Sequence, residues 1–555
     1  MNIFAWLLHW SLIGGFLLFF PQLGWGQNQS SLSVPGQISG SFQSDVQYLF
    51  PDSLIGAEAV DEKVLSNSYL QLTYRRDNFS AGIRYEAYLN PLLGFDPRYQ
   101  GQGIANRYAS YETDKIGITV GNFYDQFGNG IVFRAYQEWA LGIDNSVDGL
   151  RVRLNLFPGL TLKGIIGKQR KFFELSEGLL RGADADLDLN QAIPAWKGKQ
   201  TRLRIGGSVM NRFQADDDPR LQLPENVSAF SGRIGLGHKG LDLKAEYAYK
   251  INDPFSLNNF SYNPGTALYL DASYARKGLG INFSAHRIDN FDFRSERDVT
   301  LQELTISYLP PATRLHTYRL PTLYPYATQF FGELGFQASI LYTIPKKTKL
   351  GGKYGTQVRI NYSRISSPDT TLTASGFRYE NSLLGDQDYL YFQDINIELN
   401  RKWSRKLRST LTYINLTYNK NIIEFSARNA GQDSVQAHIG ILELQYRIKP
   451  KVALRTEAQV MYVADQKDLG SWAMLLAELS FSPNWFITVF DEYNFGNPDP
   501  DRRVHYYNAS VSYAFGANRV ALSYSRQRRG LLCVGGICRE VPASNGFGLA
   551  LNSTF

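Results

Sequence analysis

After Gln27 the chain contains no long apolar run, and that absence excludes a helical membrane protein, which needs about 20 consecutive apolar residues per span. Charge of one sign is lacking too: 58 basic residues face 51 acidic ones, and the net charge of +7 is small for 555 residues. A nucleic-acid partner is therefore not expected. Histidine is sparse and scattered, at His9, His238, His286, His316, His438 and His505, with no metal-ligand spacing among them. Neither a zinc-protease helix motif nor a serine-nucleophile elbow is present. Gly235, Gly237 and Gly240 match a dinucleotide fingerprint by spacing, but a strand pattern rather than a helix follows them, so no cofactor is assigned. No catalytic or metal-binding residue is named and the chain is read as a non-enzyme, although membrane hydrolases build sites from residues distant in sequence.

What is abundant points elsewhere. Tyrosine and phenylalanine each number 34, glycine 49 and methionine only 4, with a mean hydropathy of -0.28. Aromatic and glycine enrichment at modest hydropathy suits strands that are apolar on one face only. The one apolar run, Ile3 to Phe20, is followed by Pro21 and Gly24-Trp25-Gly26, small residues where a signal peptidase acts. Cleavage after Gly26 is expected, giving a signal peptide 1-26 and a short N-terminal segment 27-36. No Lys or Arg precedes the run, so an uncleaved anchor is the alternative. No cysteine stands near this point, which argues against lipid attachment there.

From about Gln37 the chain alternates with period 2. Leu241, Leu243, Ala245, Tyr247 and Tyr249 share one face, while Asp242, Lys244, Glu246 and Lys250 share the other. A helix would mix these sets. The same alternation sets Leu150, Val152, Leu154 and Leu156 against Arg151, Arg153 and Asn155, and Leu442, Leu444 and Tyr446 against Glu443, Gln445 and Arg447. It also sets Ile395, Ile397 and Leu399 against Asp394, Asn396 and Glu398, and Val452, Leu454, Ala458 and Val460 against Arg455, Glu457 and Gln459. In a membrane such strands must close on themselves. The fold class is thus all-β: one transmembrane antiparallel up-and-down β-barrel over 37-555, with about 26 strands and a range of 22 to 28.

Short turns are expected at Asp77-Asn78, Asp114-Lys115, Pro158-Gly159, His238-Lys239-Gly240, Lys277-Gly278, Pro310-Pro311, Lys449-Pro450, Pro483-Asn484 and Gly516-Ala517, with longer ones near 191-200, 344-355 and 401-405. Long polar loops are expected at 51-66, 90-104, 126-146, 214-226, 252-264, 367-386, 421-436 and 529-542. Even alternation requires strands at 179-190, 201-213 and 312-320. Barrels of this class keep short turns in the periplasm, which places both termini there, in the outer membrane. The luminal polar face, for example Asp242, Lys244, Glu246, Arg455 and Glu457, carries both signs. That permits either a wet channel of low selectivity or a lumen crossed by salt bridges and occupied by infolded loops.

Local candidates are few. Cys533 and Cys538 flank two glycines in the last long loop and are expected to form a disulfide, two free thiols being the alternative. Arg526, Arg528, Arg529 and Arg539 surround them and are candidates for lipopolysaccharide phosphates or another anion, against a solvated loop base. Asp184, Asp186 and Asp188 begin a calcium-loop spacing, but Leu189 and Ala195 stand where Gly and an acid are required, so a strand's polar face is favoured. Asp216-Asp217-Asp218 reads as a solvated charge run. The last strand carries Phe547, Leu549 and Leu551 in step with the terminal Phe555, and resembles the signal by which bacterial outer-membrane barrels are recognised by the barrel-assembly machinery.

Leu323-Tyr324-Pro325-Tyr326-Ala327-Thr328-Gln329, Ala245-Glu246-Tyr247-Ala248-Tyr249-Lys250-Ile251-Asn252-Asp253-Pro254 and Arg528-Arg529-Gly530 resemble a family of large, uncharacterised outer-membrane proteins of Bacteroidota. The resemblance implies a barrel and its compartment and carries no catalytic residue. Alternation from Gln37 leaves no room for the plug of a TonB-dependent transporter, the periplasmic repeats of an insertase or the N-terminal domain of a lipopolysaccharide-inserting barrel. The expected role is a passive or gated conduit for a hydrophilic solute or larger cargo. A filled barrel is the alternative, its loops or basic turn (Lys346, Lys347, Lys349, Lys353) binding an envelope partner; a membrane-embedded hydrolase comes third. Lipid and lipopolysaccharide are the surrounding partners.

Overall fold

A computed structural model describes residues 36-299, 303-373, 379-424 and 434-555. The expected signal peptide 1-26 and nearly all of 27-36 lie outside the described residues, as do parts of the expected loops 367-386 and 421-436. Ile38–Phe555 forms one compact unit.

That unit is a barrel of 24 antiparallel strands, within the expected range. Each strand pairs with its chain neighbours, and the first, Gln37–Phe50, closes the barrel against the last, Ser544–Thr554, with Ser41 opposite Thr554 and Phe50 opposite Asn545. The C-terminal residue completes the seam: the Phe555 backbone N–H donates to the Gly40 carbonyl at 2.9 Å and the Gly40 N–H returns a bond to Phe555 at 2.7 Å. A Cβ on Gly40 would stand 2.5 Å from the Phe555 ring, so only glycine lets the terminal aromatic lie across this strand.

The alternation explains why these segments form a barrel. In Leu241–Lys250 the outward Leu241, Leu243, Tyr247 and Tyr249 are exposed, as lipid-facing side chains are in the absence of lipid, whereas Glu246, Ala248 and Lys250 are fully buried. Two short α-helical turns, Leu189–Ala192 and Lys420–Ile423, sit in connections, and no helix among the described residues is long and apolar enough to cross a membrane.

Strands Glu174–Asp188 and Thr201–Phe213 match the two expected near 179-190 and 201-213. Three expectations fail. No strand exists at 312-320, and Pro310-Pro311 is not a rim turn: both lie within the long connection 290-331, which turns into the barrel. Its buried Phe291, Phe293, Ile306, Leu320 and Leu323 explain the path, since these apolar side chains gain more inside the lumen than over the rim. The described part of the expected loop 367-386 is mostly strand, because Thr356–Leu372 and Tyr379–Lys402 stay paired as far as Leu372 opposite Tyr379.

Candidate functional site

The lumen has two halves with different chemistry. Toward the short turns its wall carries laddered ion pairs that stay partly open to solvent: Arg153 with Glu112 at 2.7 Å, Arg151 with Glu112 at 3.0 Å, Lys244 with Asp242 at 3.3 Å and Arg455 with Glu443 at 3.2 Å. Asp242 and Lys244 keep 49% and 53% of their side-chain surface, so their charges remain hydrated and their pairing contributes little. Toward the long loops the lumen is filled by the chain's own connections, so the reading with infolded loops holds for this half.

The filling has two lobes. In the first, 124-135 knits to 290-299 and 303-309 through backbone bonds from Arg134 N–H to Ile306 at 2.8 Å and from Tyr308 N–H to Gly130 at 3.0 Å. Phe127, Ile131, Val132 and Phe133 are fully buried against wall residues Leu180, Met210, Ala229, Ala248 and Ala267. Small wall residues make room for large plug residues. At Gly182 a Cβ would meet Met210 Sδ at 2.6 Å and the Phe127 ring at 2.8 Å, and at Gly178 it would meet the Ser295 carbonyl of the plug more closely still. In the second lobe Leu320, Leu323, Tyr324 and Tyr326 pack on Phe392, Ile414, Leu416, Tyr418, Met461 and Trp472.

Polar clasps fix both lobes. Glu246 accepts from the backbone N–H of Asn129 at 2.9 Å and from its side chain at 2.8 Å, at the turn where Gly128 adopts positive φ. Arg212 and Asp253 pair at 2.8 Å with both side chains 1% exposed. Burial pushes the Asp253 carboxyl up, and Arg212 and Lys250 override this, holding it below the ordinary carboxylate value. In the second lobe His316 meets Asp394 at 2.6 Å, Arg314 meets Glu398 at 2.5 Å, Arg319 pairs with Glu492, and the Leu320 N–H donates to Gln459 at 3.0 Å.

A hairpin latches this plug from the rim. Gly530–Val534 and Ile537–Val541 pair, joined by the Cys533–Cys538 disulfide. At its tip the Tyr308 hydroxyl donates to the Gly535 carbonyl at 3.2 Å and the Thr328 N–H donates to Gly536 at 3.0 Å, so the hairpin touches the connection 290-331 at two points. The four arginines around it each have their own partners. Arg526 holds Asp52 in a two-pronged pair at 2.7 and 2.8 Å, and this hydrogen bonding keeps the Asp52 carboxyl low. Arg528 is turned inward to Glu492 at 3.4 Å, Arg529 pairs with Glu540, and Arg539 donates to the Ala140 and Leu93 carbonyls while stacking on Phe95.

Above the plug lies a cavity of about 1570 Å³, open at the long-loop rim and lined by Phe95, Tyr99, Phe172, Phe331, Tyr389 and Tyr391 among others. Beside these rings stands a buried charge cluster. Arg170 bridges Glu86 and Asp144 at 2.6 Å each, Arg84 meets Glu86 at 2.7 Å, and the Tyr124 hydroxyl donates to Asp144 at 2.9 Å. Burial pushes the Asp144 carboxyl up, but Arg170 and Arg84 outweigh it and keep it below the ordinary value. Asp292, also on the cavity wall, is 1% exposed and leaves its Oδ1 without a hydrogen-bond partner. Aromatic faces with a few fixed polar groups suit the capture of a solute.

The remaining sequence candidates fall in separate places. Glu457 binds Arg455 and accepts from Gln459, on the luminal wall. Asp184 and Asp186 both pair with Arg233 at 2.8 Å, and Asp188 caps the helical turn Leu189–Ala192. Asp216 and Asp218 accept backbone N–H groups within their own loop. Among the described residues no group of three or more His, Cys, Asp or Glu is placed to hold a metal ion. Phe547 packs on Tyr524 at 4.9 Å, Leu549 lies opposite Val46 and Leu522, and Leu551 opposite Ser44 and Val520. Sequence reading left a lumen occupied by infolded loops as an alternative without locating the plug, yet a signal exists: the luminal positions Val435, Ala437, Ile439 and Ile441 are apolar before Glu443, Gln445 and Arg447 turn polar.

The fold and the filled lumen define a plugged transmembrane-type β-barrel, a fold that resembles outer-membrane proteins. The chain belongs to a family of unknown function, DUF6029, whose profile matches residues 6–555. No curated protein matches it. Among solved structures it is similar to the siderophore receptor PirA from Pseudomonas aeruginosa (12% identity, 94% of this chain and 80% of that one, TM-score 0.40). It is also similar to the P pilus usher PapC translocation pore (9% identity, 93% and 99%, TM-score 0.43) and to OccK8 (OprE) of Pseudomonas aeruginosa (8% identity, 94% and 98%, TM-score 0.35).

Proposed function

We propose that this protein is a gated outer-membrane conduit, closed in the state described, with the connection 290-331 as its gate and the rim cavity as the place where a hydrophilic solute is recognised. The observation that carries this reading is the asymmetry of the lumen: a hydrated, charged chamber in one half and a plug made of loops, not of wall side chains, in the other. Loops can leave a lumen without breaking the strand ladder. The short-turn rim and both termini are periplasmic in this reading, the long loops and cavity external, and no catalytic step is involved. The source implied by the family resemblance, Bacteroidota, belongs to the same proposal.

Planar-bilayer recording tests it. The full barrel is expected to be silent or to open rarely, and a variant with 291-330 replaced by a short Gly-Ser linker is expected to conduct steadily. A linker variant that forms a heat-stable barrel yet never conducts would sink the conduit.

The buried apolar clusters favour a second reading, a permanently filled barrel that serves as a scaffold. Stoichiometric co-purification of a partner, with a native barrel that stays silent at every applied voltage and solute, supports it over the conduit.

A further inference from the structure

The short-turn rim carries a second surface that the gate does not use. Three successive turns there, 345-355, 401-408 and 446-452, contain Lys346, Lys347, Lys349, Lys353, Arg401, Lys402, Arg405, Lys406, Arg408, Arg447, Lys449 and Lys451, and not one Asp or Glu. The fold joins them into one patch. Lys353 and Lys402 stand over the same Tyr354 ring at 5.8 and 5.0 Å, and the Arg447 N–H donates to the Lys406 carbonyl at 2.8 Å. All but Arg401 are exposed, and among the described residues none of the twelve has an ion-pair partner.

Within the patch Lys402 lies directly opposite Arg408 across the ladder, a like-charge pair that destabilises the sheet unless an anion lies between. Lys402, Arg405, Lys406, Arg408 and Arg447 border a depression of about 240 Å³. Lys402 shares the luminal register of Asn396 and Glu398, which meet Arg314 inside the barrel, whereas Ile395, Ile397 and Leu399 face outward. The depression therefore faces water at the lumen entrance and not the bilayer. Lipid headgroups are the poorer fit.

We propose that this patch docks an acidic polypeptide segment of a partner on the short-turn side. Exposed Leu350 (70%) interrupts the cations, which suits a segment mixing carboxylates with apolar side chains better than a uniform phosphate polymer. The three turns link six adjacent strands, about 24 Å across at roughly 4.8 Å per strand. An extended segment of about seven residues spans that distance.

Fluorescence anisotropy of labelled octaglutamate with the full barrel in detergent tests the proposal. Binding is expected, weakening about tenfold between low and physiological salt. K402Q/R408Q/R447Q should bind about tenfold more weakly, K402R/R408K/R447K should retain binding, and R75Q/R76Q at the distant turn between Val64–Arg76 and Phe79–Asn90 should change nothing. Absent binding, equal loss in the distant-turn variant, or capture of polyphosphate or anionic-lipid vesicles without octaglutamate would overturn it. Conductance of the linker variant is read separately, so failure here leaves the gate reading standing.

Discussion

Along the single strand Val435–Lys449 the barrel interior changes solvent. Val435, Ala437, Ile439 and Ile441 are buried under the second lobe of the plug, while the luminal positions after them, Glu443, Gln445 and Arg447, line the polar chamber. Trp472–Phe481 repeats the change, from buried Trp472 and Met474 to Glu478. A charge in the chamber is hydrated and tolerant of replacement. The same charge in the plugged half is desolvated, and its partner becomes indispensable.

That contrast can be broken by substitution. Arg212→Ala takes from buried Asp253 its nearer cation and leaves only Lys250 at 3.6 Å, and is expected to destabilise the barrel by about 3–5 kcal/mol; Phe127→Ala, which empties a packed ring site, should cost a similar ~3–5 kcal/mol. Both are read as shifts in the urea midpoint of tryptophan fluorescence. If Lys244→Ala in the chamber cost as much as either, the two halves would not differ as described. Gly182→Val forces a side chain against Met210 and the Phe127 ring and is expected to cost about 1–3 kcal/mol by the same measure, with more frequent openings in bilayers.

The latch gives a smaller effect. Removing the disulfide with C533S/C538S frees a loop of only a few residues, so about 2 kcal/mol of local stability is expected to go. More frequent brief openings with an unchanged unfolding midpoint would show that the hairpin acts on the gate alone. Acid sharpens the comparison from another side. Asp144 and Asp253 have folded values below the ordinary 3.8, so the stability they supply is complete above that value and is lost as pH falls through the lowered ones. Conductance should stay low from neutral pH to about pH 4 and rise only below it. Opening near pH 6 would mean that other groups hold the plug. The smallest effect is expected in the chamber: Lys244→Ala should change the midpoint by less than about 0.5 kcal/mol.

Much of the barrel was legible in the chain because a lipid-facing strand has one unambiguous pattern, as in Leu241, Leu243, Tyr247 and Tyr249 against Asp242, Lys244 and Glu246. Short turns at Asp77-Asn78 or Lys277-Gly278 were readable for the same reason, since glycine, asparagine and aspartate tolerate tight reversals. The plug was not. Phe127, Ile131, Val132 and Phe133 sit in a connection that is otherwise rich in glycine and polar residues, and 312-320 has too little alternation to be told from a strand. Nothing local distinguishes a loop that covers the rim from one that enters the lumen. The cavity was invisible too, because its aromatic lining comes from residues as far apart as Phe95 and Tyr391.

The sequence by itself determined an antiparallel barrel, a strand count within its range, the sides on which long and short connections lie, and a closing strand that ends on Phe555. These follow from nearest-neighbour pairing and a period of two, which need no knowledge of distant contacts. Only the tertiary structure decided that one half of the lumen is filled, that the cysteine hairpin rests on that filling, and that three lysine- and arginine-rich turns become one surface. Each of these depends on segments brought together by closure of the ring, and closure is a property of all 24 strands at once.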